Sequence, residues 1–225
     1  MMGAPLLRIR GVSKSFVDSN QRRVPVLENV DLTLAAGEKA SLVGPSGSGK
    51  STLLALVAGL LRPDQGTVEI DGRSVGDLSD AERARLRATR VGIALQSDNL
   101  IPFLTAQENV ELAFGFGHRS PRRDARAAAT TLLARFGVET EARRLPRQLS
   151  GGEAQRVALA VAMAGQPGIL LADEVVAALD GGTAGRVIEE VLAAGFAVLY
   201  VTHDRELADR VERRFELVNR TVLSR

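Results

Sequence analysis

Cysteine is absent from the 225 residues, so neither a disulfide nor a Cys-ligated zinc can hold this chain together. That suits a reducing compartment. No stretch of about 18 apolar residues occurs either, so nothing in the chain reads as a membrane-spanning helix. The first ten residues lack the apolar segment behind a basic start that marks a secretory signal. Lysine is scarce: Lys14, Lys39 and Lys50 are the whole set, and arginine carries the remaining positive charge. The balance is a net +2 with a pI near 9.5. Arg83, Arg85, Arg87 and Arg90 alternate with acidic and apolar residues, and no aromatic side chains interleave them as a stacking platform. They read as a solvated helix face, and no nucleic-acid partner is expected.

What is present, 45% apolar and 25% charged residues, suits one large α/β domain or a domain with a small inserted lobe. Residues 6–12 and 29–34 alternate as strands, and residues 39–43 form a strand that runs straight into a glycine-rich loop. An apolar helix is expected over 51–61, ended by Arg62-Pro63-Asp64. Residues 66–70 with the Asp71-Gly72 turn read as a hairpin, and 90–95 as another strand. From 105 to 165 the pattern is helical: Thr105 and Glu108 mark one start, Pro121 opens a second helix and Gly137 closes it. Strands return at 168–172 and 197–201, alternating with helices from Thr183 and Asp204. This alternation predicts a mainly parallel sheet with an inserted helical block.

Gly44-Pro45-Ser46-Gly47-Ser48-Gly49-Lys50-Ser51 fits G-x-x-x-x-G-K-[ST] in full, between an expected strand and an expected helix. Glycines let peptide N–H groups converge on phosphate oxygens, and the helix start adds a favourable dipole. ATP is the expected ligand, with Lys50 on the β/γ-phosphates and Ser51 on Mg²⁺. The apolar run from Gly168 ends in adjacent carboxylates: Asp173 is the candidate metal ligand and Glu174 the candidate general base. Leu149-Ser150-Gly151-Gly152-Glu153 carries a capping box between Ser150 and Glu153, yet two glycines in a first turn weaken a helix. They make sense if an anion approaches bare amides closely. One γ-phosphate does not need two such cradles from one chain, so the second is expected to serve a neighbouring molecule.

Taken together, these residues resemble the ATP-binding subunits of ABC transporters over essentially the whole length. Leu149-Ser150-Gly151-Gly152-Glu153 is similar to the ABC signature, and Gln96 to the Q-loop glutamine. Ala178-Leu179-Asp180 matches the D-loop, His203 in Val201-Thr202-His203-Asp204 the switch histidine, and Phe16 the adenine-stacking aromatic. The resemblance implies a P-loop NTPase of RecA-like core, with an N-terminal antiparallel β subdomain and an inserted α-helical subdomain. It implies one ABC ATPase domain over 1–225, with 1–96 and 166–225 as catalytic lobe and 97–165 as signature lobe. ATP would be bound by Phe16, residues 44–51 and Thr52, and Mg²⁺ by Ser51, Gln96 and Asp173. Glu174, His203, Lys50 and Gln96 would be catalytic. A second copy, or a paralogous ATPase, would close each site with its own Ser150-Gly151-Gly152 segment. The other implied partner is an integral membrane permease, which places the chain peripherally on the cytoplasmic face of the membrane.

Three departures stand out. Val175-Val176 replaces the usual Pro-Thr, so the following turn loses a fixed φ. Phe16 replaces the commoner tyrosine, and the helix after the signature lacks its customary arginine. Residues 99–110 add an apolar cluster that reads either as core packing of the helical lobe or, the favoured reading, as a docking groove for the permease, with Leu100 and Phe103 as its candidates. The segment most resembles the lipoprotein-release, macrolide-export and cell-division ATPase subgroup. Export or lipoprotein extraction is therefore expected, with a non-transporting mechanotransmission complex as the alternative.

Overall fold

The computed structural model describes residues 5–95, 99–117, 122–176, 179–211 and 213–224. The elements run β1 (Leu7–Val17), β2 (Arg23–Leu34), β3 (Lys39–Val43), α1 (Lys50–Val57), β4 (Gln65–Ile70), β5 (Arg73–Ser74), α2 (Asp80–Arg90), β6 (Val91–Ala94), α3 (Ala106–Gly117), α4 (Arg122–Arg135), α5 (Gly151–Ala164), β7 (Ile169–Asp173), α6 (Gly181–Leu192), β8 (Ala197–Val201), α7 (Arg205–Ala208), β9 (Arg213–Val218) and β10 (Thr221–Ser224). A 3-10 turn, Pro146–Gln148, precedes α5. Two compact units emerge, Met1–Ala84 with Leu199–Arg225, and Arg85–Val198, the chain passing between them within α2 and within β8.

In the first unit an antiparallel sheet in the order β2-β1-β4-β5 buries Leu7, Ile9, Val12, Leu27, Val30, Leu34, Val68 and Ile70. The β1–β2 register shifts at three places, and Asn29 there takes a φ of 47°. Asp71 and Gly72, with φ of 51° and 71°, make the two-residue turn that the right-handed twist of a hairpin favours. A second hairpin, β9 to β10, turns through Asn219 and Arg220 at 48° and 69°. β3 pairs in parallel with β9, and β8 is its other neighbour. Ala40, Leu42, Leu199, Tyr200, Phe215 and Leu217 make this a buried apolar layer.

Helix α1 stops at Val57, short of the expected 61, and the reason is Gly59 at φ 66°. Its N–H donates to Leu56 O (3.1 Å) while Leu60 N–H donates to Ala55 O (2.9 Å), the paired bonds of a glycine C-cap. The chain then reaches Asp64, which fastens the start of β4 to β1. Its carboxylate accepts Lys14 Nζ at 2.9 Å, Ser15 N–H at 2.8 Å and the Ser15 hydroxyl at 2.7 Å.

In the second unit β6 and β7 pair in parallel, from Val91 opposite Ile169 to Ala94 opposite Ala172. α3, α4 and α5 pack on one another, and α5 also packs on β6. Gly92 makes that approach possible, because a Cβ there would run into the Ala162 carbonyl. The capping box of α3 is formed: Thr105 N–H donates to Glu108 Oε2 (2.8 Å) and Glu108 N–H to Thr105 Oγ1 (3.2 Å). Gly137, at φ 61°, closes α4, where Val138 N–H donates to Leu133 O (2.9 Å). From α5, Arg156 Nη1 donates to the carbonyls of Phe136 (3.3 Å) and Gly137 (3.1 Å), so the signature helix also holds the end of α4.

The Asp64 cluster generates a pH prediction. The Lys14 hydrogen bond, then those from Ser15, holds this carboxyl far below its ordinary value of 3.8. A depressed carboxylate adds stability that is complete above that value and is lost as pH falls beneath it. Asp64→Asn should lower Tm at pH 7 by about 2–4 °C for each kcal/mol lost. The gap between wild type and variant should close on acidification below pH 4; a gap that widened there would contradict the assignment.

Candidate functional site

The glycine-rich segment leaves β3 and turns into α1 within the first unit. Gly44 is required by close approach, since a Cβ on it would lie 2.5 Å from Leu217 O at the end of β9. Gly49 is required twice over: its φ is 107°, and a Cβ would meet Val26 Cγ1 of β2 at 2.9 Å. Gly47 takes a φ of 74° in open space. The outcome is a loop of bare backbone walled by β9 on one side and β2 on the other. No side chain caps α1, whose first turn holds no acidic residue. Uncapped N–H groups and a positive helix end are the conditions for binding an anion.

Lys50 is 8% exposed, and its ammonium donates to the carbonyls of Gly44 and Pro45, both at 2.8 Å. An ammonium has three N–H groups, so these bonds anchor the charge over the loop and leave one donor for a phosphate oxygen. Ser48 Oγ is buried without a hydrogen-bond partner among the described residues. These features fit a polyphosphate. Ser51 and Thr52 follow in the first turn of α1. Phe16, near the end of β1, is 41% exposed and lies opposite Val24, with Lys14 Nζ 5.6 Å from its ring centroid. A partly exposed aromatic face can stack on a purine.

His203 belongs to the same unit. Thr202 N–H donates to Leu42 O (3.4 Å), setting the end of β8 beside the end of β3 just before Gly44. The turn carrying His203 is then closed from behind. Asp204 N–H donates to Thr202 Oγ1 (3.0 Å), and Asp204 Oδ1 accepts Glu206 N–H (2.9 Å) at the start of α7. At the other end of that one-turn helix, the Leu207 carbonyl accepts the Tyr200 hydroxyl and the Ala208 carbonyl accepts Ser41 Oγ (3.1 Å). Helix-end carbonyls are orphans unless such donors reach them. Burial pushes the Tyr200 phenol up to about 12, so it stays a donor throughout the neutral range.

The acidic pair and the signature segment lie in the second unit. β7 is buried along its whole length and ends in Asp173, 8% exposed. Glu174 follows at φ 48°, a left-handed backbone that turns the chain off the strand. Ser150 caps α5 as expected: its Oγ accepts Glu153 N–H (3.3 Å), and Glu153 Oε2 accepts Ser150 N–H (2.8 Å). The Ser150 N–H and hydroxyl hold the Glu153 carboxyl below its ordinary range. Leu149 is the extended residue between the 3-10 turn and this cap. A Cβ at Gly151 would meet nothing within 4 Å among the described residues, so their packing does not demand that glycine. Asp180 caps α6 by accepting Thr183 N–H (3.0 Å), which fixes the helix start at Gly181. Gln96, and Ala178 of the expected D-loop, lie outside the described residues.

Mg²⁺ would take oxygen ligands, as the Ser51 hydroxyl and Asp173 carboxylate are. Among the described residues no group of three or more His, Cys, Asp or Glu converges. Two residues with a part here were not read from the sequence: Tyr200 behind His203, and Gln155, whose Nε2 donates to Glu174 O (3.1 Å). Tyr200 could be suspected as the chain's single tyrosine on an apolar strand. Gln155 carries no such signal, being one polar helix residue among many.

The family model described as ABC transporter matches residues 27–177. The chain is 42% identical to the lipoprotein-releasing system ATP-binding protein LolD of Ruegeria sp., covering all of both chains. It is 41% identical to the pyoverdine export ATP-binding/permease protein PvdT of Pseudomonas syringae pv. tomato, and 38% to the macrolide export ATP-binding/permease protein MacB of Agrobacterium fabrum. Those two matches take in 99% of this chain but only 34% and 35% of the relatives, so the chain spans about a third of their length. Among solved structures, the ATP-binding cassette MJ0796, a dimer in a post-hydrolysis state bound to ADP and Pi, superposes with a TM-score of 0.92. The two chains are 37% identical, and each is covered to 97%.

The closed back of the His203 turn can be tested directly. Tyr200→Phe removes one of two donors to the Leu207 carbonyl, the Arg210 N–H remaining at 3.2 Å, and should cost about 0.5–1.5 kcal/mol in chemical denaturation. If that turn presents His203 to phosphate, kcat for ATP should fall further than KM rises; a variant equal to wild type in both assays would separate the turn from catalysis.

Proposed function

The chain belongs to the ABC transporter family, and we propose that it binds and hydrolyses MgATP as one of a pair of like subunits driving a membrane permease. The observation that carries this reading is the contrast between two glycine-rich helix starts. At Gly44 and Gly49 the chain's own backbone and side chains exclude a Cβ, whereas at Gly151 none of the described residues comes within 4 Å of one. The first is a finished cradle; the second is open to an approach from outside. A partner's ATP is the anion this reading assigns to it, and the MJ0796 cassette, a dimer bound to ADP and Pi, supports the pairing.

In this reading the whole chain, 1–225, is one ATPase domain with 97–165 as its signature lobe. Phe16 stacks on adenine, while residues 44–52 hold the phosphates. Ser51, Gln96 and Asp173 would hold Mg²⁺, which would supply charge neutralisation on the phosphates. Glu174 accepts a proton from the attacking water, and His203 and Lys50 stabilise charge developing on the γ-phosphate. Ser150, Gly151 and Gly152, flanked by Leu149 and Glu153, close the partner's nucleotide, with Asp180 beside that contact.

The names of the relatives, lipoprotein release and macrolide and pyoverdine export, support a permease engaged in export or extraction. Among the described residues no helix is long and apolar enough to cross a membrane. This reading assigns the permease part to another polypeptide or segment and this domain to the cytoplasmic face. The docking surface is assigned to residues 99–116. Phe103 is 77% exposed, and Leu112 and Phe116, four residues apart on one face of α3, are 38% and 64% exposed. Leu100 is only partly exposed, so Phe103 is the stronger anchor.

Three measurements test these assignments. Glu174→Gln should keep ATP binding and lose about 10²–10⁴-fold in turnover, the usual worth of a positioned general base. Wild-type rate per molecule should rise steeply with protein concentration, and full activity in a strict monomer would overturn the paired site. With the permease present, Phe103→Ser combined with Phe116→Ser should abolish transport while sparing nucleotide binding; unchanged transport would move the docking surface elsewhere.

A further inference from the structure

Gln155 is a buried polar side chain to which the mechanism above gives no task. It lies one turn into α5 and is 6% exposed. Its Nε2 donates to the Glu174 carbonyl oxygen at 3.1 Å. Its Oε1 is buried and has no hydrogen-bond partner among the described residues. The reverse amide orientation would set Oε1 against the Glu174 carbonyl, acceptor against acceptor, so only the orientation with one orphan atom makes the bond. An apolar side chain of the same size would avoid that desolvation cost. The bond therefore has a use other than filling space.

The carbonyl it holds belongs to a residue whose backbone needs outside support. Glu174 sits at φ 48°, where a Cβ crowds the neighbouring carbonyl and L-residues go only when the surroundings impose it. Val175 and Val176 anchor the far side of the turn by burial, at 2% and 7% exposure. Gln155 anchors the near side. The helix it hangs from is itself pinned at both ends, by the Ser150–Glu153 capping box and by the close seat of Ala162 on Gly92. A push on the start of α5 is therefore delivered one turn later to the Glu174 backbone.

We propose that Gln155 is a positioning residue that aims the Glu174 carboxylate and ties its direction to the state of the signature helix start. This rests on the reading of Glu174 as general base and of Ser150-Gly151-Gly152 as the contact to a partner's ATP. On that reading α5 senses one nucleotide of the pair while Glu174 acts on the other, so Gln155 links the two sites.

The test uses Gln155→Met, which keeps the length and removes both polar atoms. Folding should be retained, the lost bond to the Glu174 carbonyl being set against removal of the orphan Oε1, while kcat for ATP falls about tenfold with KM little changed and the Hill coefficient drops toward 1. A merely structural role would move Tm and leave the Hill coefficient alone. Gln155→Leu serves as the second variant if the methionine does not fold. Glu174→Gln is measured beside them. If it is inactive while Gln155→Met turns over ATP with wild-type kcat and cooperativity, the link is wrong and the general base stands. If Glu174→Gln itself keeps wild-type turnover, the general-base reading fails and takes the link with it.

Discussion

Peptide N–H groups can converge on a phosphate only where no side chain occupies the same space, and that steric condition organises the first unit. The wall behind Gly44 is the backbone of β9 at Leu217, and the wall behind Gly49 is the Val26-Leu27 segment of β2. Each wall is held by its own sheet. β9 is parallel to β3 and backed by β10, and β2 is stitched along the length of β1. The Asp64 cluster locks β1 to the segment that follows α1. Distant strands therefore converge on one loop, and an alanine at Gly44 or Gly49 would strike the frame instead of merely changing a turn.

The fold class, the loop and the signature were legible because each rests on a local rule. A strand that becomes glycine-rich and then helical, a Ser-x-x-Glu start before an apolar run, and an Asp-Gly pair between alternating segments all carry their geometry in adjacent residues. What escaped rests on contacts between segments far apart in sequence. The β9–β10 hairpin turns through Asn219-Arg220, which lacks the glycine that would announce it. β1 and β2 run longer than alternation suggests, because bulges break the period of two while pairing continues through Ser15 and Pro25. α2 is a polar helix whose charged pattern reads as surface, although Arg83 in it is buried against the Leu78 carbonyl (3.1 Å). Tyr200 and Gln155 acquire their parts only when a carbonyl from another turn arrives beside them.

The Val175-Val176 pair illustrates how a local rule can mislead. Without proline the turn after Glu174 has no ring to fix φ, and the sequence argues for a slacker geometry at the expected general base. The structure supplies other restraints. Two β-branched residues, stiff at χ1, are buried directly after the left-handed residue, and an amide from α5 holds its carbonyl. A ring constrains the unfolded chain as well as the folded one, whereas burial and a hydrogen bond act only once α5, β6 and β7 have assembled. The geometry of Glu174 thus depends on tertiary structure that includes the signature helix. That dependence is what allows the start of α5 to influence it, since a proline-fixed turn would have been less responsive to the helix beside it.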